Sequence, residues 1–260
     1  MGDKGKYKPL SLFIYITPKG RGFFVINLPE DLVKAFFLHR SNRFTVIAEK
    51  EGERVKAFLA DPGRLEELLL PGVELYLSKA KVREGRKTAY DVVLLNQNGI
   101  LISVDSRLPN RIFKSAFQSG ELEPFKDYQQ ITSEVKVGSS RLDFLLEGKG
   151  RQPYYIEVKS VTLVIDGKGL FPDAPTARGS RHLKELMALK DKGFRTAVVF
   201  IIQRGDVVSF APNENTDPAF TRILREAVAK GVEIYAYCCQ INLETVRLTE
   251  RVPVRLYKNS

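Results

Sequence analysis

From Ala197 to Ile202, the run "TAVVFIIQR" contains no polar residue. Side chains in a strand alternate between the two faces of a sheet, so a strand apolar at every position has no wet face. Such a strand lies inside a sheet that is covered on both sides. The flanking segments supply cover. "RHLKELMALKDKG" places Leu183, Leu186, Met187 and Lys190 on one helical face and stops at Gly193. "DPAFTRILREAVAKG" reads as a second helix and leads into the strand "VEIYAYC". Strands alternating with helices imply an α/β sheet.

The first third of the chain has another rhythm. "SLFIYI", "GFFVINL", "RFTVIAE" and "ERVKAFLA" are short alternating runs, with Lys50-Glu51-Gly52 as a hairpin signal. In "DPGRLEELLLPG", Asp61-Pro62-Gly63 is a turn, Leu65, Leu68 and Leu69 form a helical stripe, and Pro71-Gly72 stops it. "VELYLSKAKV" completes the set. Several short strands, with a helix before the last, predict a small barrel of the OB kind. From about residue 83, "AYDVVLL", "ILISVD", a partly helical stretch over 111–128, "SEVKVG", "SRLDFLLEG" and "YYIEVKSVTL" follow. The expected organisation is therefore a two-domain α+β / α/β chain. An OB-like barrel over residues 1–82 precedes a mixed sheet flanked by helices over 83–260.

The formal charge is +10 with a pI near 9.5. That surplus favours a polyanionic partner and says nothing about fold; a thermophile-type Lys/Glu surface would be nearer to balance. No segment approaches the roughly 20 apolar residues of a membrane span. "LSLFIYI" is followed by Pro18 and a basic cluster without a cleavage site, and Lys6 stands where a myristoylation signal needs Ser or Thr. Cys238 and Cys239, adjacent in a strand, make neither a disulfide framework nor a metal knuckle. A reducing cytoplasm is the expected compartment.

Within "YYIEVKSVTL", Tyr155, Glu157 and Lys159 point one way, and Tyr154, Ile156 and Val158 the other. In "SRLDFLL", Asp143 shares a face with Arg141 and Leu145. The intervening "EGKGRQP" is a hairpin-type connection, so the two strands are expected to pair. If the faces match, two carboxylates and one ammonium converge. Close carboxylates raise each other's pKa unless a cation sits between them. Hard oxygen ligands select Mg²⁺ or Mn²⁺, and a lysine one pleat away can hold an attacking water, which is equipment for phosphodiester hydrolysis. Opposite charges across a wet sheet face are also ordinary pairs, so spacing alone leaves a structural role open.

"SRLDFLL", "YYIEVKSVTL" and "FPDAPTARGSRHLKEL" resemble successive signatures of the sugar fermentation stimulation protein A family. "RSNRF", "DPGRLEELLLPG", "RKTAYD" and "LPN" resemble its upstream blocks, so the likeness spans most of the chain. The resemblance implies DNA binding, an OB-like N-terminal domain and a C-terminal domain of the PD-(D/E)xK nuclease type. It implies catalytic roles for Asp143, Glu157 and Lys159, and matches Glu134 of "SEVKVG" to the acid that precedes them. Asp143, Glu157, Glu134 and the Val158 carbonyl would be the metal ligands. Two positions depart from the family pattern: Phe58 stands where His is usual, and Ala177 where Glu is usual.

Candidate phosphate contacts come from several places. Pro172 and Pro175 precede a helix start near Thr176 or Ser180, and Arg178, Arg181 and His182 crowd that terminus, where free N–H groups suit a phosphate. The alternative is that these side chains are solvated or paired with Asp173 and Glu185. In the barrel, Arg40 and Arg43 lie beside Phe44, although Phe44 alternates with Val46 as a core residue would. Arg64, Arg86, Lys87 and Arg141 complete the candidate nucleic-acid contacts. These features support a DNA-binding, Mg²⁺- or Mn²⁺-dependent nuclease-type protein making backbone contacts without sequence preference. A non-catalytic DNA-binding regulator of sugar metabolism genes and an RNA-binding module are the alternatives; no helix-turn-helix is evident.

Overall fold

A computed structural model of the chain describes residues 25–80, 85–138 and 140–257. The first described strand is β1 (Val25–Asn27). It is followed by β2 (Val33–Asn42), β3 (Thr45–Lys50), β4 (Glu53–Phe58), β5 (Glu74–Lys79), β6 (Tyr90–Gln97) and β7 (Ile100–Ser103). Helix α1 (Leu108–Gln118) then leads to β8 (Gln130–Val137), β9 (Ser140–Glu147) and β10 (Tyr154–Val161). Two short strands, β11 (Val164–Ile165) and β12 (Lys168–Phe171), precede α2 (Ala177–Asp191) and β13 (Arg195–Ile202). The chain closes with β14 (Ser209–Pro212), α3 (Pro218–Ala229), β15 (Glu233–Ile241) and β16 (Thr245–Arg251).

Strands β2 to β7 form one sheet in the order β4-β3-β2-β5-β6-β7. A parallel pairing of Ala57 and Phe58 with Tyr90 and Asp91 joins β4 to β6 and closes it into a barrel. Ala35, Phe37, Val46, Ala48, Leu75 and Leu77 fill its interior. The expected small barrel is thus present, with different members. Strand β2 was not anticipated, and β6 and β7 lie in this sheet. The expected boundary at residues 82/83 therefore falls inside the barrel rather than between the two sheets. "SLFIYI" lies outside the described residues. The described part of "GFFVINL" is β1, which pairs antiparallel with β16 at the far edge of the other sheet. The helix expected around Leu65 is a single turn. Leu65 has φ 53°, in the left-handed region, which interrupts a right-handed helix at its first residue. Leu65 and Leu68 are nonetheless buried, so the stripe was apolar for packing and not for helix periodicity.

The second sheet has the order β1-β16-β15-β13-β10-β9-β8 among the described residues. Its centre, β10, β13 and β15, is parallel. Alternation along β13 sorts the two cores. Ala197, Val199 and Ile201 face α1 and pack with Ile112, Phe113 and Ala116. Val198, Phe200 and Ile202 face α2 and α3 and pack with Leu183, Leu186 and Met187. Cys238 and Cys239 fall on opposite faces for the same reason, and both are free. Local signals set the helix ends. The Thr176 hydroxyl accepts from the Gly179 N–H at 3.0 Å, and the Asp217 carboxylate accepts from the Phe220 N–H at 2.8 Å.

A cleft of about 260 Å³ lies where the barrel meets the second sheet, lined by Asp61, Pro62 and Gly63 on one side and Val158 to Leu163 on the other. Gly63 leaves room there for the Asp173 side chain: a Cβ would come within 2.2 Å of its carboxylate oxygen, and that carboxylate would have to shift. Burial, with the nearby Asp173 charge adding to it, pushes Asp61 up from 3.8 to about 6. Unfolded Asp61 loses its proton near pH 4 and folded Asp61 only near pH 6. The folded state therefore holds the extra proton between those values. The stability it contributes is complete below about pH 4 and is lost as the pH rises through about 6. Asp61→Asn keeps an acceptor for Gly63 N–H and removes the charge. It is expected to stabilise the protein by about 1–3 kcal/mol above pH 6 and by nothing near pH 4. Thermal unfolding of both proteins across that range tests this; a gap independent of pH would show that Asp61 titrates normally.

Candidate active site

The central β10 strand and the end of its pairing with β9 create the site. Their antiparallel ladder runs from Tyr154↔Leu146 to Ile156↔Phe144 and then stops. One residue further along β9 is Asp143. The regular alternation expected there breaks: Phe144 packs in the α1-side core and Leu142 in the α2-side core. The Asp143 carboxylate reaches across the opening and accepts from the Val158 N–H at 2.8 Å, and its other oxygen accepts from the Asn110 amide of α1 at 2.7 Å. The N–H and C=O of a strand residue point to the same side, so the Val158 carbonyl also faces this opening.

Glu157 projects toward α2 and is 3% exposed. One of its oxygens accepts from both the Lys159 ammonium and the His182 ring Nδ1–H. The other, Oε2, is buried and has no hydrogen-bond partner. Burial pushes the Glu157 carboxyl up, but the Lys159 charge and the His182 hydrogen bond outweigh it and hold the group below its ordinary value. Asp143 goes the other way. Burial first, and the Glu157 charge second, raise it to about 6. Two neighbouring carboxylates with opposed shifts mark a place where charge has been concentrated against a solvation cost.

Asp143, Glu157, Lys159 and the Val158 backbone thus lie together. Glu134 does not join them. It has φ 55° within β8, between the pairs Ser133↔Phe144 and Val135↔Leu142, and its exposed carboxylate accepts from Arg141 at 3.1 Å. Its left-handed backbone turns it out of the regular ladder on an edge strand. No group of three or more His, Cys, Asp or Glu side chains placed to hold a metal occurs among the described residues. Of the residues expected to hold a metal, Asp143, Glu157 and the Val158 backbone lie together, while Glu134 lies apart from them on the edge strand.

The candidate phosphate contacts divide similarly. His182 is corrected outright. It is 2% exposed and buried against Glu157, because one turn into α2 it points at the sheet rather than at the helix terminus. Arg181 donates to Ser140 Oγ at 3.1 Å, at the start of β9. Arg178 is exposed and borders the same cleft as Lys159 and Arg43. Arg40 is spent on structure: its guanidinium donates to the carbonyls of Asp61, Gly63, Arg64 and Arg43, tying β2 to the turn. Arg43 donates to Pro62 O at 3.1 Å and stays exposed, as do Arg64 and Lys87. Arg86 is held by Asp91 at 2.7 Å.

Comparison with known proteins gives a consistent relationship. The family model described as "Sugar fermentation stimulation protein RE domain" matches residues 107–245, and that described as "SfsA N-terminal OB domain" matches residues 38–104. A "Sugar fermentation stimulation protein homolog" of Moorella thermoacetica is 64% identical over 232 residues, covering 89% of this chain and 100% of the relative. The chain belongs to the sugar fermentation stimulation protein family. A homolog from Desulforamulus reducens is 46% identical, covering 89% of this chain and 95% of the relative. The solved structure of Pyrococcus furiosus SfsA in complex with Ca²⁺ superimposes with a TM-score of 0.82 at 30% identity, covering 88% of this chain and 98% of that one. The fold is therefore an OB-like barrel followed by a mixed sheet flanked by helices.

In this sugar fermentation stimulation protein family member, two contributors to the site are not signalled by their local sequence. Asn110 lies in "LPN", a block noted only as part of the family likeness, and its contact with Asp143 spans 33 residues of sequence. His182 was noticed for its charge and its place near a helix start. Only the helix phase, which makes residues 182, 183 and 186 face the sheet, would have buried it. The departure at Phe58 also has a structural account: its ring stacks on Phe44. Ala177 is the exposed first residue of α2.

Proposed function

We propose that the protein binds nucleic acid and hydrolyses phosphodiester bonds with a divalent cation, Mg²⁺ or Mn²⁺, at Asp143 and Glu157. One observation carries this reading. Glu157 Oε2 is buried without a partner, beside an Asp143 carboxylate that burial first, and the Glu157 charge second, displace upward. A cation answers both, since it would satisfy the orphaned oxygen and offset the repulsion. Asp143, Glu157 and the Val158 carbonyl form an all-oxygen donor set of the kind Mg²⁺ takes alongside water. The relative from Pyrococcus furiosus, solved with Ca²⁺, binds a cation of the same hard class.

The cation, when bound, would supply Lewis-acid stabilisation of the charge developing on the phosphate. The protein residues have separable tasks. Asn110 and the Val158 N–H hold the Asp143 carboxylate in place. His182 orients Glu157 from behind. Lys159, partly exposed on the cleft, would hold the attacking water and shield the negative phosphate from the two acids. Arg178 and Arg43 on the same cleft are suited to the flanking phosphates. DNA is the proposed substrate, held through its backbone, in keeping with the +10 charge.

A second reading has its own observation. Lys159 already pairs with Glu157 and His182 hydrogen-bonds it, so the acids can be structural in a regulator that only binds DNA. Incubation of purified protein with linear, supercoiled and single-stranded DNA in Mg²⁺, Mn²⁺ or EDTA separates the two. Cleavage that EDTA abolishes supports hydrolysis. Tight, salt-sensitive binding without cleavage of any substrate would assign the protein to the second reading.

A further inference from the structure

Outside the proposed hydrolytic centre, the exposed Phe44 ring packs on the half-buried Phe58 ring. Phe44, at the turn into β3, alternates with core residue Val46, yet it is 42% exposed. Its ring stacks on Phe58 of β4, with centroids 6.1 Å apart and planes inclined by 26°. Each ring carries its own guanidinium: Arg43 lies 5.7 Å from the Phe44 centroid and Arg86 5.9 Å from that of Phe58. Both arginines are braced, Arg43 by Pro62 O and Arg86 by Asp91 and Thr88 O.

This pair borders a cleft of about 1160 Å³ that also takes Lys79, Lys87, Arg107 and Arg111. The acids Asp91 and Asp105 on the same wall are paired with Arg86 and Arg107. The described lining is therefore cationic and aromatic together. Elements that line this cleft also reach the proposed hydrolytic centre. Arg107, Leu108 and Arg111 of the first turn of α1 and its N-cap line it, while Asn110 of the same turn holds Asp143. On the other side Phe44 borders this cleft and the adjoining Arg43 borders the one containing Lys159.

We infer that the Phe44–Phe58 pair is a base-stacking subsite for an unpaired nucleotide, which makes single-stranded or locally unpaired polynucleotide the ligand class. The inference rests on the nucleic-acid reading above and specifies its substrate. An open aromatic face flanked by guanidinium groups attracts the π-face of any base, and cations along the groove attract the backbone. Bases within a duplex are already stacked on each other and offer no free face. The subsite therefore selects for unpaired strands and is indifferent to sequence.

The test measures binding in EDTA, independently of cleavage, with a short oligothymidylate carrying one 2-aminopurine. Its ribose counterpart and its fully paired duplex are the other probes. The expected result is a fluorescence change on binding of either single strand and a Kd for single strand that rises roughly ten- to a hundredfold in Phe44→Ala. The salt dependence of that binding should be unaltered, because no charge is lost. Phe44→Trp should restore affinity, which separates stacking from damage to the barrel. Equal binding of duplex and single strand, with Phe44→Ala matching the wild type on both, would overturn the subsite and leave the nucleic-acid reading intact. No binding of any probe by the wild type would overturn both.

Discussion

Glu157→Gln is expected to reduce metal-dependent cleavage by about a thousandfold or more while leaving DNA binding in EDTA unimpaired. The substitution keeps the shape of a 3% exposed side chain and an oxygen for the Lys159 and His182 donors. It removes the negative charge that a hard cation needs. Loss of a single preorganised group that stabilises transition-state charge costs about 10²–10³ in rate, and loss of the cation forfeits more than one such group. Binding is expected to hold or tighten slightly, since an acid is removed near the phosphates. Removing one partner of a buried ion pair can itself cost about 3–5 kcal/mol, so a thermal melt of the variant accompanies the assay. Single-turnover cleavage and gel-shift titration of the folded variant are the deciding measurements. Undiminished cleavage would remove Glu157 from the reaction.

The largest expected loss of stability follows Phe200→Ala. Phe200 lies in β13, between β10 and β15, with no exposed surface. Its ring stacks on Phe210 at 4.1 Å between centroids and meets Phe171 at 5.4 Å. Truncation leaves a cavity that a central strand, held on both edges, is poorly able to close. The cost of a Phe→Ala change in such a core is about 3–5 kcal/mol, a large part of the 5–15 kcal/mol that keeps a typical domain folded. Urea unfolding should show the midpoint falling by the corresponding amount with an unchanged slope. A change under about 1 kcal/mol would mean that the neighbouring rings collapse into the space.

What the sequence determined by itself was mostly local. The apolar run over 197–202 required a doubly covered strand, and the alternation in β10 correctly put Tyr154, Ile156 and Val158 in one core. Helices α2 and α3 were readable from periodicity and from their capping residues. These features depend on contacts within a turn or a pleat, which a short stretch of sequence encodes. Which strand joins which sheet does not, because alternation records that a face is buried and not what covers it. Hence β1 paired with β16, more than two hundred residues away in the chain, and β6 and β7 joined the barrel. The same limit governed the candidate site. Glu157 and Lys159 sat two apart in the sequence and stayed together. Asp143 joined them because the β9–β10 ladder ends at Ile156, which leaves the Val158 N–H for its carboxylate. Glu134 was kept out by one left-handed residue, and Asn110 and His182 were brought in by helices packed on opposite faces of the sheet. Those placements depend on long-range packing, so only the tertiary structure decided them.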